Sequence, residues 1–276
     1  MKLLSLLCLS MALGSVGFSQ LKTPAKSPAQ TIVQHFALST VELSYSRPSV
    51  NGRAIFGDLV PYGKVWRTGA NAATTITFGE EVTIGGKKIP AGKYGLLSIP
   101  EQNQWTVILT KQTNVTSPNA YKESEDVVRV KASVQRLSAP VETMIIAFDN
   151  IKANSMNLII AWDRTAVTVP ITADVDAKVM SLINQLNGKD DFPYFEAAAY
   201  YLENGKDLNK AVTWFNKAIE KSPNAFWIHY QKASALAKLG KKQDAISAAN
   251  KSMQFAKEAK SDDYISLNEK LIASLN

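Results

Sequence analysis

Three arginines, Arg47, Arg53 and Arg67, fall in one short stretch together with Asp58, Tyr62, Trp66 and Asn71. A guanidinium is a planar, permanently charged fork that presents paired N–H donors to a carboxylate or phosphate, and an indole offers a flat face for stacking. If the seven side chains converge, the chemistry is recognition of a small anionic, sugar-like or peptide ligand. The same residues also have a purely structural use. Arginines in a long loop hydrogen-bond backbone carbonyls and pair with an internal carboxylate such as Asp58, which holds the loop in one shape. The sequence leaves both uses open.

Other chemistries are thinly supplied. His35 and His229 are the only histidines and Cys8 the only cysteine, so no His/Cys metal cluster can be assembled. Neither a Gly-x-Ser-x-Gly elbow nor a Gly-x4-Gly-Lys-Ser/Thr phosphate loop occurs. No cofactor, metal or catalytic residue is therefore expected. Glu80 and Glu81 are neighbours, and on a strand they would point to opposite faces. Glu123, Glu125 and Asp126 form an acidic run without the tight glycine turn of a Ca²⁺ loop, and read as solvated. A carboxylate-based hydrolase acting on glycans or esters is the catalytic alternative, weakened by the short supply of general bases. A structural part of an envelope assembly is the third reading.

The arginines need a scaffold, and Tyr45–Pro100 supplies its loops: it holds nine of the 14 glycines and four of the 11 prolines. Turn residues at this density, with single apolar anchors between them, describe a loop of one defined shape. Around it the period is two. Thr40–Ser46 alternates Val41, Leu43 and Tyr45 against Glu42 and Ser44, which predicts a half-buried strand. Similar runs follow at Thr74–Phe78, Glu81–Ile84, Lys93–Ile99, Trp105–Lys111, Val127–Leu137, Glu142–Phe148, Asn157–Trp162 and Ala166–Ile171. Gly85-Gly86 predicts a two-residue hairpin turn. About nine short strands predict an antiparallel β-sandwich or barrel over residues 31–171.

At Thr172 the period becomes helical. Asp174 is placed to cap a helix burying Val175, Val179, Leu182 and Leu186 and ending at Asn187-Gly188. Farther on, Ala211, Phe215, Ala218 and Pro223 recur 34 residues later as Ala245, Ala249, Ser252 and Lys257. This spacing of small residues in paired helices resembles the tetratricopeptide repeat, and residues 172–276 are read as a tetratricopeptide-like α-helical domain. The resemblance implies a protein partner docked by the repeats, with Trp227, His229 and Tyr230 as groove residues.

Before the strands, Lys2, the apolar run Leu3–Leu13 and the small residues around Ser19 have the anatomy of a secretory signal over residues 1–19. Residues 20–30 read as a linker. The expectation is an exported protein, periplasmic or secreted after cleavage near Ser19/Gln20, with no transmembrane segment in the mature chain. The net charge of +7 is spread singly rather than in a stripe with stacking aromatics, so no nucleic-acid partner is expected.

The arginine stretch also carries a family resemblance. Tyr45-Ser46-Arg47-Pro48-Ser49-Val50, the run from Gly52-Arg53 through Phe56-Gly57, Pro61-Tyr62-Gly63 and Val65-Trp66-Arg67-Thr68-Gly69-Ala70-Asn71, and Pro90-Ala91-Gly92 with Tyr94 resemble the domain of unknown function 2911. The later stretch from Tyr121 to Val130, with Glu123, Asp126 and Arg129, and the strand ending at Trp162 are also similar to it. The resemblance covers residues 31–171 and implies an exported β-rich domain of Bacteroidetes-type bacteria; it carries over no site residue. Asn114–Asn119 departs from the family pattern, in which a Trp-Gly pair is expected.

Overall fold

The computed structural model describes residues 23–275. The signal expected over residues 1–19 lies outside the described residues. The first half is all β: β1 (Ala29–Phe36), β2 (Ser39–Ser46), β3 (Thr75–Phe78), β4 (Val82–Ile84), β5 (Lys87–Ile89), β6 (Gly92–Ile99), β7 (Gln104–Thr110), β8 (Asp126–Ser133), β9 (Gln135–Asp149) and β10 (Ser155–Thr172). They form two antiparallel sheets, in the orders β1-β2-β3-β6-β7-β8 and β5-β4-β10-β9. The sheets stack as a sandwich and do not close into a barrel.

Alternation places Leu43, Ile76, Phe78, Leu96 and Trp105 of the larger sheet against Met144, Ile146, Leu158, Ile160, Val169 and Ile171 of the smaller. A void of about 10 Å³ lies among Ile76, Phe78, Leu96, Leu158, Val169 and Ile171, too little for more than a single water. The Gly85-Gly86 hairpin forms as expected, with Ile84 opposite Lys87 and both glycines at positive φ.

Three local readings are corrected. Strand β1 begins at Ala29, inside the span read as linker, because its hydropathy is inverted. The half-buried face carries Gln30, Ile32 and Gln34, while Val33 on the outer face is 59% exposed. The two runs at 157–162 and 166–171 are one strand, β10, whose register against β9 shifts at Ala161/Asp163 and again at Asp163/Thr165. Glu80 and Glu81 precede β4 rather than lying on it; a Glu80 carboxylate oxygen accepts the Leu38 N–H at 2.8 Å, and Glu81 pairs with Lys88 at 3.0 Å.

The chain divides into two compact units between Val175 and Asp176. The second is helical: α1 (Asp176–Leu186), α2 (Tyr194–Glu203), α3 (Leu208–Lys221), α4 (Phe226–Lys238), α5 (Lys242–Glu258) and α6 (Asp262–Leu275). The Asp207 side chain caps α3, accepting the N–H groups of Asn209 and Lys210. Ala211, Trp214, Phe215 and Ala218 then form its buried stripe. The repeat counterparts Ala245, Ala249 and Ser252 are each 0% exposed. Lys257 stands where the first unit has Pro223, and α5 runs on to Glu258 with nothing to stop it. In α1, Val179 and Leu186 pack on the helical core as expected, but Leu182 is 55% exposed and its neighbour Ile183 is buried in its place. Val175 packs on the β-unit core instead, and Asp176 reaches Tyr200 Oη at 2.7 Å and Lys206 Nζ at 2.8 Å.

Candidate functional site

The loop from Arg47 to Thr74 is fastened at several points. Tyr45 at the end of β2 crosses the sandwich: its hydroxyl accepts the Ile146 N–H at 2.9 Å and donates to Gln30 Oε1 at 3.1 Å. Residues 48–50 then pair with β9. The Met144 N–H donates to Pro48 O, the Val50 N–H to Glu142 O, and the Ser49 and Thr143 hydroxyls meet at 3.0 Å. Where β3 stops, the loop takes its place beside β6, with the Trp66 N–H on Ser98 O at 2.7 Å and the Ser98 N–H on Trp66 O at 2.9 Å. Thr68, fully buried at φ +53°, shares a hydrogen bond with the Ser98 hydroxyl at 2.8 Å, and its carbonyl accepts from Thr74 Oγ1. At Gly69 (φ +153°) a Cβ would stand 2.9 Å from Thr74 Oγ1 and 3.1 Å from Ser46 O. Only glycine fits so close to the backbone.

This framework brings some of the seven expected residues together and separates others. Arg53, Trp66 and Arg67 line one cleft of about 270 Å³ with Ser27, Pro48, Val60 and Trp162. Arg47, Asp58, Tyr62 and Asn71 are not among its lining residues. Arg47 Nε donates to Met144 O at 3.0 Å, tying the loop to β9. Asn71 Nδ2 donates to Ser27 O at 3.1 Å, fixing the chain just before β1. Tyr62 packs on Gly57, and Asp58 is exposed with no arginine partner. The internal Asp58–arginine pair is thus absent, and carbonyls hold the arginines instead.

Within the cleft the cations are pinned but not saturated. Arg53 donates from Nε to Val50 O and from Nη2 to Ser49 O, and its Nη1 has no partner among the described residues. Arg67 donates from Nη1 to Thr116 O, while its Nε is buried without a partner and Nη2 has none among the described residues. Thr116 lies in the segment Asn114–Asn119, whose backbone thus supports the arginine. Its neighbour Val115 packs with Leu97 and Ile108 on the outer face of the large sheet. Trp66 stacks on Trp162, with centroids 5.9 Å apart and planes at 16°, and meets Phe56 and Trp105 edge-on. Trp66 Nε1 donates to Gly69 O. The Nε1 groups of Trp105 and Trp162 are buried without partners, a desolvation cost that the rest of the core must offset. Sequence reasoning missed Trp162 as a cleft residue, since its strand gave only a core signal. No carboxylate is among the lining residues.

The acidic run is solvated at Glu123, 73% exposed, but not at Asp126, whose side chain is 8% exposed. Tyr121 Oη donates to Asp126, and Arg129 donates to both Asp126, at 2.7 Å, and the Tyr121 hydroxyl. Glu123 joins through Arg129 at 3.1 Å. Burial, helped by the Asp126 hydrogen bond, pushes the Tyr121 hydroxyl up to about 12. No His/Cys/Asp/Glu cluster suited to a metal occurs among the described residues.

In the helical unit the three expected groove residues face different surroundings. Trp227 is 40% exposed and flanks a hollow with Ser222, Pro223 and Asn224. Tyr230 packs edge-on against Tyr264 of α6. His229 is buried and lines a larger hollow of about 440 Å³ between α3, α4 and α5. They do not form one groove.

The chain thus joins a two-sheet β-sandwich, with a cleft lined by Arg53, Trp66 and Arg67, to a unit of six helices. The chain belongs to the family described as protein of unknown function DUF2911, whose pattern matches residues 27–171. A tetratricopeptide repeat matches residues 214–247, from within α3 to the first half of α5. No curated protein and no solved structure matches the chain. No helix among the described residues is long and apolar enough to cross a membrane. The tetratricopeptide match suggests protein–protein interaction for the helical unit.

Proposed function

We propose that this is an exported, non-catalytic binding protein whose β-unit holds a small anionic, sugar-like or peptide ligand while its helical repeats dock a protein partner. One observation carries the ligand reading. Among the described residues no carboxylate lines the cleft that Arg53 and Arg67 share, and each arginine keeps a terminal nitrogen without a partner after its carbonyl bonds. Two cations fixed in place cost a ligand little ordering entropy, and their uncompensated charge favours an anion. The half-buried Trp66 face gives a sugar ring or planar group a surface beside that charge. The export part rests on the leader pattern of Lys2, Leu3–Leu13 and Ser19.

The hydrolase alternative would need an acid and a base at the ligand, and the cleft supplies neither. Because the stacked Trp66–Trp162 pair lies in the cleft wall, tryptophan fluorescence is a direct reporter. Titration with citrate, a sialic-acid oligosaccharide and an acidic dipeptide should give saturable quenching for at least one. The quenching should be lost in Arg53→Gln. Quenching that survives this change would place the ligand elsewhere.

A further inference from the structure

The hollow between α3, α4 and α5 has a composition that the aromatic groove residues did not anticipate. Its walls are Val212 and Asn216 from α3, His229, Lys232 and Leu236 from α4, and Asp244, Ser247, Ala248 and Lys251 from α5, with Lys241 at the start of α5. Three lysines thus surround one aspartate. Asn216 and Ser247 add neutral hydrogen-bonding groups, and Leu236 and Ala248 an apolar floor. Lys251 is held over the Phe255 ring at 4.5 Å.

His229 completes the wall. Its Nε2 lies 2.8 Å from Pro223 O. A carbonyl can only accept, so Nε2 carries the proton and Nδ1 is the site that gains one on acidification. Phe255 packs against the ring at 5.4 Å. The charged groups around it are Lys232 on its own helix, Lys251, Asp244 and Lys241 of α5 and its cap; α3 contributes only Val212 and Asn216. Burial, with Lys232 and Lys251 adding to it, holds the imidazole below its ordinary value of 6.5. An anion between the lysines reverses their effect.

We propose that this hollow docks an acidic peptide segment of a partner protein and that docking takes up a proton at His229. The inference deepens the partner-docking half of the proposed function and rests on it. Charge complementarity selects the occupant: a run of carboxylates meets three cations, while the apolar floor and the neutral Asn216 and Ser247 suit a peptide backbone rather than a bare ion. The sign follows from linkage. The free protein has a neutral His229 near pH 7, and the docked carboxylates raise its pKa. Affinity therefore rises as pH falls through the raised value, by up to about tenfold per pH unit, and levels off below the free value.

The test is calorimetric titration of the intact protein with hexaglutamate at pH 7.5 and pH 5.5, with hexalysine, a Gly-Ser hexapeptide and tripolyphosphate alongside. Hexaglutamate is expected to bind at least about threefold more tightly at the lower pH. The His229 Cε1–H resonance should titrate at higher pH when the peptide is present. Lys232→Ala with Lys251→Ala should weaken binding about tenfold while circular dichroism shows the helices intact. His229→Gln should remove the pH slope. Binding indifferent to the lysine changes, or a flat pH profile, overturns the proposal, as does tripolyphosphate binding more tightly than the peptide. If the neutral or basic peptide binds and hexaglutamate does not, this inference falls and partner docking by the repeats survives; if none binds, both fall.

Discussion

Tyr45 and Gly95 show how single residues hold the arginine loop and its neighbours in place. The Tyr45 hydroxyl is the acceptor for the Ile146 N–H across the sandwich. Tyr45→Phe leaves that buried donor unpaired, and should cost about 1–3 kcal/mol in urea unfolding. At Gly95 a Cβ would sit 2.1 Å from the Gln112 carbonyl oxygen. Gly95→Ala must push the β7–β8 connection outward and should cost about 1–3 kcal/mol by the same measurement. His229 supplies a pH signature. Its native pKa is depressed below the 6.5 expected when unfolded, so the unfolded state binds the proton more readily. Stability of the helical unit should be level above about pH 6.5 and decline as pH falls from there through the lowered native value. A decline that persists in His229→Gln would assign it to another group. At this scale the sequence marks candidates but not their partners. Arg47 and Arg53 announce themselves equally, yet one ties the loop to Met144 and the other lines the cleft.

Elements were legible where hydropathy and period agree. The alternation of Val41, Leu43 and Tyr45 became β2, and the Gly85-Gly86 pair became a hairpin. Strand β1 was missed because glutamines face inward and Val33 faces out at the sheet edge, where packing imposes little. Trp162 shows in the sequence only as the end of a strand, because nothing in a strand's own pattern shows that a loop more than ninety residues earlier in the chain will stack on it. In the helices the 34-residue repeat is readable from Ala211, Phe215 and Ala218, and so are Val179 and Leu186 on the packed face of α1; Ile183 is not, since it differs by one position from the exposed Leu182. Capping gives an element-scale prediction. Asp207→Ala strips α3 of its N-cap acceptor and should destabilise the helical unit by about 1 kcal/mol in denaturant titration.

The two compact units each have their own core, one built on Leu43, Ile76 and Ile160, the other on Phe192, Ala211 and Phe215. They are expected to melt as two calorimetric transitions. Acidification from pH 7.5 to 6 should move the helical one through His229, and a ligand in the arginine cleft should raise only the β one. The most direct check of the ligand reading is a thermal-shift screen of the intact protein and Arg67→Ala against organic acids, acidic sugars, nucleotides and acidic peptides. A compound at 100 times its Kd should stabilise the β-unit by about 2.7 kcal/mol. The account predicts at least one such compound, with its shift abolished in Arg67→Ala although that variant still folds. A blank screen with working controls, or an equal shift in both proteins, would contradict it and leave the arginines as fasteners of the loop.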